Sequence, residues 1–117
     1  MKKRSASLAF VLISLIVVSS IVLAFTHHPQ EGGAWSYGIK KYIQEDGNKL
    51  WKHYSNYLHH SLHHGSTSRV DGHDDNRVCA GCGQTSEAAI SYTNTKAATR
   101  AFYHICSQSF CGNDCDC

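Results

Sequence analysis

The sequence predicts a small all-β domain crosslinked by disulfide bonds, and three observations support this fold class. Residues 35–40 alternate between large apolar side chains and small or polar ones, the period of two that is typical of a strand. Residues 88–93 and 97–105 contain aromatic and β-branched side chains, which favour strands, although the alanines of the second segment also suit a helix. Six cysteines follow residue 78, and a small domain with a thin core usually needs such crosslinks.

Residues 1–24 predict a signal peptide that forms a hydrophobic helix. A positive start at residues 2–4 precedes an uncharged apolar run over residues 5–25, which is the pattern of an export signal. The expected cleavage site follows Ala24, and Ser20 marks a second candidate. Because the run is also long enough to cross a bilayer, an uncleaved anchor is the alternative. With cleavage, we expect a secreted protein that meets a membrane only through its signal peptide.

The predicted mature chain has no excess of positive charge. The whole chain has 11 Lys+Arg and 9 Asp+Glu. Lys2, Lys3 and Arg4 belong to the signal peptide, which leaves 8 basic residues against 9 acidic ones. This balance argues against nucleic-acid binding. All 9 histidines remain in the mature part, and near pH 5 they would make it cationic.

The mature chain divides into three predicted segments. Residues 25–33 contain a proline and two glycines and predict a flexible lead-in. Residues 34–105 form the predicted β domain, and residues 106–117 form a cysteine-rich tail that carries four of the six cysteines.

Local patterns predict the structure of four shorter segments within the β domain. Residues 45–48 predict a turn. Residues 50–58 fit both a helix and a strand by their spacing, and their aromatic content favours a strand. Residues 63–78 are polar, which predicts a loop. Residues 93–95 predict a hairpin turn that joins the last two strands.

The cysteines predict disulfides if the chain is exported. The sequence does not select one pairing. A bridge between Cys115 and Cys117 would be strained, so we expect each of them to pair elsewhere. The candidates are Cys79, Cys82, Cys106, Cys111, Cys115 and Cys117.

A histidine cluster near the middle of the chain offers a metal site as an alternative. It contains two pairs spaced by four residues, which would share a face on a helix and could chelate zinc. On a strand the members of each pair would lie about 13 Å apart, too far for one ion. Exported thiols oxidise, so we expect no metal and no cofactor, and the histidines form a pH-responsive surface. The alternative ligands are His59, His60, His63, His64, Cys79 and Cys82.

No catalytic residue is predicted. The adjacent carboxylates at residues 45–46 and 74–75 lie beside glycine and asparagine, as they do in turns. The chain has no GxSxG or other nucleophile motif. The Cys79-x-x-Cys82 pair lacks the βαβ setting of a thiol oxidoreductase.

An ordered set of short motifs follows the signal peptide. It contains Glu31-Gly32, Trp35 and Tyr37-Gly38, then Tyr54-Ser55-Asn56-Tyr57 with His59, His64 and Thr67, and finally small residues at 88–89 and Ala101-Phe102-Tyr103. With these motifs in this order, the stretch from residue 31 to about residue 105 resembles the lactococcin 972 family of secreted bacteriocins. The six cysteines and the tail depart from the family pattern, and they could mean added stability or another use of the scaffold.

The resemblance implies a fold, a target and a partner. The implied fold is a small antiparallel β-sandwich. The implied activity is that of a non-lantibiotic bacteriocin that binds the cell-wall precursor lipid II and blocks septum assembly without permeabilising the membrane. An immunity protein in the producing cell, resembling a membrane transporter, is the implied partner. The alternative functions are a His/Cys metal-binding protein and a structural surface protein without toxicity.

Aromatic side chains would suit such a ligand, since their flat faces pack on sugar rings or on an isoprenoid. Cationic groups could contact its pyrophosphate; the candidates are Lys40, Lys41, Lys49, Lys52 and Arg69. In a chain with few aliphatic residues, the same aromatics are also candidates for the core. The predicted ligand-binding residues are Trp35, Tyr37, Trp51, Tyr57, His59 and His64.

Overall fold

Seven strands make up the part of the chain that the computed structural model describes, residues 21–106, 111, 115 and 117. This part contains no helix that is long and apolar enough to cross a membrane. The strands are β1 (Ile21–His27), β2 (Ala34–Ile43), β3 (Lys49–Leu58), β4 (His64–Val70), β5 (Asn76–Ala80), β6 (Thr85–Tyr92) and β7 (Thr99–Ile105).

The strands form two antiparallel sheets. Sheet A has the order β1-β2-β3-β6, and sheet B has the order β5-β4-β7. Strands β4 and β7 of sheet B pack against β3 of sheet A, and β4 and β5 pack against β6. The predicted all-β sandwich is therefore confirmed, as are strands at residues 35–40, 50–58, 88–92 and 99–105.

Two local predictions are wrong. The supposed loop at residues 63–78 contains β4 and β5. Residues 93–95 do not close a hairpin, because β6 pairs with β3 and β7 pairs with β4, so the connection crosses between sheets. Residues 25–27 of the predicted lead-in lie in β1, together with residues 21–24 of the predicted signal peptide. The rest of that peptide, residues 1–20, lies outside the described residues.

Buried serines explain why β4 reads as a loop. Ser66 Oγ donates to the carbonyl oxygen of Ser86 at 3.0 Å, and Ser68 Oγ donates to that of His53 at 3.1 Å. Ser55 Oγ of sheet A donates across to the carbonyl oxygen of Phe102 at 2.9 Å. Because each of these three hydroxyls has a backbone acceptor in the opposite sheet, small polar residues can fill the interior here.

The apolar core is small and lies at one end of the sandwich. Val70, Ile90 and Tyr92 form it, and Trp51 and Ala97 pack against it. The ring centroids of Trp51 and Tyr92 lie 6.5 Å apart.

Two disulfide bonds join the cysteine-rich tail to the β domain and a third lies within the tail, and no described cysteine is free. Cys79 is bonded to Cys111, with 5.6 Å between their Cα atoms, and Cys82 is bonded to Cys117, with 5.7 Å. The third bond joins Cys106 to Cys115. As expected, Cys115 and Cys117 are not bonded to each other.

Replacing Thr67 by valine should stabilise the domain. Thr67 is 2% exposed, and its Oγ1 has no hydrogen-bond partner within the described part of the chain. Valine has a similar shape and removes the unsatisfied hydroxyl, so we expect a gain of about 1 kcal/mol. The midpoint of thermal unfolding should rise by about 4–8 °C. An unchanged or lower midpoint would contradict the assignment of this hydroxyl as unsatisfied.

Candidate functional site

Sheet A extends beyond sheet B on the side of β1. Among the described strands, β1 contacts only β2. The strand of sheet B that β2 contacts is β7, and β2 contacts no other described strand of that sheet. The face of β1 and β2 that points toward sheet B is therefore only partly covered. We call this surface the overhang; it consists of Phe25, Trp35, Tyr37, Ile39 and Lys41. Phe25 is 58% exposed, and the other four are half-buried.

Aromatic rings form a continuous row from the overhang into the interior. Phe25 stacks on Tyr37 at 5.5 Å between centroids, and Tyr37 lies 4.3 Å from Trp35. Trp35 lies 4.9 Å from Tyr103, which lies 5.1 Å from the buried ring of Tyr57. Centroid spacings of this size are those of favourable aromatic pairs, so the exposed end of the row rests on a rigid support.

The buried end of the row holds the turn that precedes β2. The Tyr57 hydroxyl donates to the carbonyl oxygen of Gly32 at 2.6 Å. Burial raises the pKa of Tyr57 to about 12, so this hydroxyl remains a donor at physiological pH. His59 Nε2 lies 2.9 Å from the carbonyl oxygen of Glu31. A Cβ at Gly33, which has a φ of 87°, would overlap the carbonyl oxygen of Leu58.

Hydrogen bonds orient the rings of the two buried histidines. His59 Nδ1 accepts from the backbone N–H groups of Ser61 and Leu62. Its Nε2 therefore carries the hydrogen that is donated to Glu31. His64 is fully buried, with Nδ1 2.8 Å from the carbonyl oxygen of Leu62 and Nε2 2.7 Å from that of Gln84. Both histidines thus hold backbone segments in place.

The structure brings together only some of the predicted ligand-binding residues. Trp35 and Tyr37 lie side by side on the overhang, and Tyr57 continues their row into the interior. Trp51 lies apart from the row, against Tyr92 in the apolar core. Tyr57, His59 and His64 are buried, so the prediction that the histidines form an exposed surface is wrong for His59 and His64.

Two aromatic residues of this site, Phe25 and Tyr103, were not among the predicted ones. The period-two pattern of β7 places Tyr103 on the same face as Ala101, toward sheet A, and this signal was available in the sequence. Phe25 ends the apolar run of the predicted signal peptide, so its position in a strand was masked by that run.

The cationic candidates have different surroundings. Lys41 Nζ lies 5.8 Å from the centre of the Trp51 ring, at the end of the overhang. On the opposite face of sheet A, Lys40 and Lys52 pair across β2 and β3 beside a cavity of about 270 Å³. Arg69 forms a salt bridge with Asp75 at 2.8 Å, and its guanidinium lies over the Phe102 ring. Its charge is therefore already paired within the protein.

The alternative metal site loses its sulfur ligands. Cys79 and Cys82 are in disulfide bonds, and a disulfide sulfur is not a thiolate ligand. The rings of His59 and His64 lie 6.2 Å apart, but their nitrogens are already hydrogen-bonded to the backbone. Within residues 21–106, 111, 115 and 117, no three His, Cys, Asp or Glu residues are grouped to hold a metal ion.

Acidification should destabilise the domain through His53. Burial lowers the pKa of His53 below its ordinary value of 6.5, so the unfolded chain takes up a proton at a higher pH than the folded chain does. The contribution to stability is complete above pH 6.5 and is lost as the pH falls through the folded pKa. The thermal midpoint should therefore be lower at pH 5 than at pH 7.5, and a His53→Asn variant should show a smaller difference. An equal difference in both proteins would contradict this role of His53.

A family model described as Bacteriocin (Lactococcin_972) matches residues 31–103. The chain belongs to the lactococcin 972 family. Comparisons with curated proteins and with solved structures gave no significant match. The family match begins at Glu31, which is bonded to His59 and Tyr103 and precedes Gly32, the acceptor of the Tyr57 hydroxyl. The matched region therefore includes β2 and every member of the aromatic row except Phe25, which lies in β1 before the matched region.

Proposed function

We propose that this protein is a secreted bacteriocin that binds lipid II and blocks cell-wall synthesis at the septum of related bacteria. Membership of the bacteriocin family supports the antimicrobial part of the proposal. The overhang supports a binding activity, because it offers an aromatic and apolar surface that sheet B leaves partly open. The proposed activity needs no catalytic step. The producing cell would need an immunity protein, for which a transporter-like membrane protein is the proposed partner.

The line of residues along β2 is the single observation that carries the proposed ligand. Trp35, Tyr37, Ile39 and Lys41 are two residues apart and share one face of the strand. Aromatic faces suit sugar rings, and the apolar side chains suit an isoprenoid. The Lys41 ammonium group, about 13 Å from Tyr37 along the strand, suits a pyrophosphate.

Binding to vesicles with and without lipid II tests this site. Tyr37→Ala and Lys41→Gln are each expected to weaken lipid II binding about tenfold. The matched controls are Tyr42→Ala and Lys40→Gln, since both residues follow on the same strand but point to the opposite face. The controls should bind as the unmodified protein does. Absence of lipid II binding, or an equal loss in all four variants, would overturn the proposed site.

A further inference from the structure

The outer face of sheet A carries a polar cavity of about 270 Å³ that the proposed function does not use. Ser55 Oγ donates to the carbonyl oxygen of Phe102 in sheet B, so the odd-numbered residues of β3 point inward and the even-numbered ones point to the outer face. Tyr37 of the overhang lies opposite Ser55, so the overhang belongs to the other face of the sheet. The cavity is lined by Lys40, Lys52, Tyr54, Asn56, Glu87 and Ala89.

Two lysines lie side by side at one end of this cavity. Lys40 of β2 is directly opposite Lys52 of β3, and the Cβ atoms of such a pair are about 5 Å apart. Like charges in this position destabilise a sheet, and neither lysine forms an ion pair with a described residue. Both are half-buried, so solvent and salt screen their repulsion less than at a fully exposed site. An anion bound between the two ammonium groups would offset this repulsion.

Polar groups continue from the lysines along β3. Tyr54 follows Lys52 on the same face, and its hydroxyl has no hydrogen-bond partner among the described residues. Burial raises the pKa of Tyr54, so this hydroxyl remains a donor at physiological pH. Asn56 and Glu87 are opposite each other at the far end of the cavity, about 13 Å from Lys52 along the strand. The carboxylate there accepts hydrogen bonds from hydroxyl groups and repels a second anionic group.

We propose that this cavity binds a sugar or polyol that carries one phosphate, with the phosphate between Lys40 and Lys52. Phosphate oxygens are strong acceptors, and lysine binds phosphate as a point charge. The hydroxyl groups of the ligand then meet Tyr54, Asn56 and Glu87. The cavity is slightly smaller than the about 300–1,000 Å³ of drug-sized sites, so it suits one such unit. Its lining contains no aliphatic residue larger than alanine, so it does not suit the isoprenoid of lipid II.

Nuclear magnetic resonance titration of the purified, oxidised protein tests the proposal without any substitution. Glucose 6-phosphate should shift the amide signals of Lys52, Tyr54 and Glu87 saturably, and glucose should shift none of them at the same concentration. Inorganic phosphate should bind more weakly than glucose 6-phosphate does. The absence of a saturable shift with glucose 6-phosphate would overturn the proposal. Equally tight binding of inorganic phosphate would also overturn it, because the sugar would then make no contact.

Three variants separate the phosphate contact from the hydroxyl contact and from net charge. Lys52→Gln should weaken the binding of glucose 6-phosphate about tenfold, and Tyr54→Phe should weaken it about 2- to 12-fold. The matched control is Lys49→Gln, which removes the same charge from the opposite face of the same strand, and it should bind as the unmodified protein does. Unchanged binding in Lys52→Gln or Tyr54→Phe would overturn the proposal, as would an equal loss in both lysine variants.

A soluble polymer of glycerol phosphate, added as a competitor, identifies the source of the ligand. Displacement of glucose 6-phosphate points to an anionic polymer, and no displacement points to a free sugar phosphate; both results support the proposed chemistry. These titrations contain no lipid II, and the three variants change no residue of the overhang. This proposal and the proposed function therefore fail independently.

Discussion

Removing both the Cys79–Cys111 and the Cys82–Cys117 bridges is expected to cost about 6 kcal/mol of unfolding free energy. Removing either one alone should cost only about 2.6 kcal/mol. The two bridges span 32 and 35 residues, and they join neighbouring positions, because Cys79 lies near Cys82 and Cys111 lies near Cys117 in the sequence. Once one bridge is formed, the other closes a loop of about 10 residues instead of a long one, so it restricts the unfolded chain less.

Chemical unfolding of the paired cysteine-to-alanine variants measures these costs. The loss of both bridges is comparable to the whole stability of a small domain, which is about 5–15 kcal/mol, so we expect the doubly modified protein to be unfolded or nearly so at 37 °C. Removal of the Cys106–Cys115 bridge, which spans 9 residues, is the control for a short isolated loop. Costs that simply add for the two long bridges would contradict the expected coupling between them.

Replacing Tyr57 by alanine is expected to destabilise the domain by about 3–5 kcal/mol. The Tyr57 side chain is fully buried, and its ring contacts those of His59, His64 and Tyr103. Alanine would leave a cavity at the base of the aromatic row and would release the turn at Gly32. Unfolding by denaturant, with disulfides intact, gives the change in free energy.

Tyr57→Phe serves as the matched control for that substitution. It keeps the ring contacts and removes only the hydroxyl that donates to Gly32, so its cost should be about 1–2 kcal/mol. If Tyr57→Ala and Tyr57→Phe lower the unfolding free energy by the same amount, the Tyr57 ring does not stabilise the aromatic row. A variant that keeps its stability but loses antibacterial activity would move Tyr57 from a structural role to ligand contact.

Local patterns predicted the strands with large side chains and missed those without them. β6 alternates between exposed or half-buried residues and buried ones. The first half of β2 alternates between large apolar side chains and small or polar ones, and both alternations are visible in the sequence. β4 is hidden because its inward positions include Ser66 and Ser68, whose hydroxyls are satisfied only by carbonyls of the other sheet. A local pattern cannot anticipate such partners. The same limit explains the hairpin predicted at residues 93–95, since pairing across the sandwich is not local.

The candidate site was predictable only where its residues share one strand. Trp35 and Tyr37 follow from the alternation in β2, whereas Trp51 and Tyr57 share a face of β3 but lie about 20 Å apart along it. Trp51 therefore belongs to the apolar core and Tyr57 to the aromatic row. The roles of His59 and His64 depend on carbonyl groups far away in sequence, at Glu31 and Gln84, and no spacing rule reveals such contacts.

Growth inhibition of related Gram-positive bacteria by the oxidised mature protein, with and without added lipid II, tests the proposed function most directly. We expect inhibition that added lipid II reverses, with loss of inhibition in Tyr37→Ala and retention in Tyr42→Ala. Inhibition that lipid II leaves unchanged would contradict the proposed target, and no inhibition across a broad panel of such bacteria would contradict the bacteriocin activity itself.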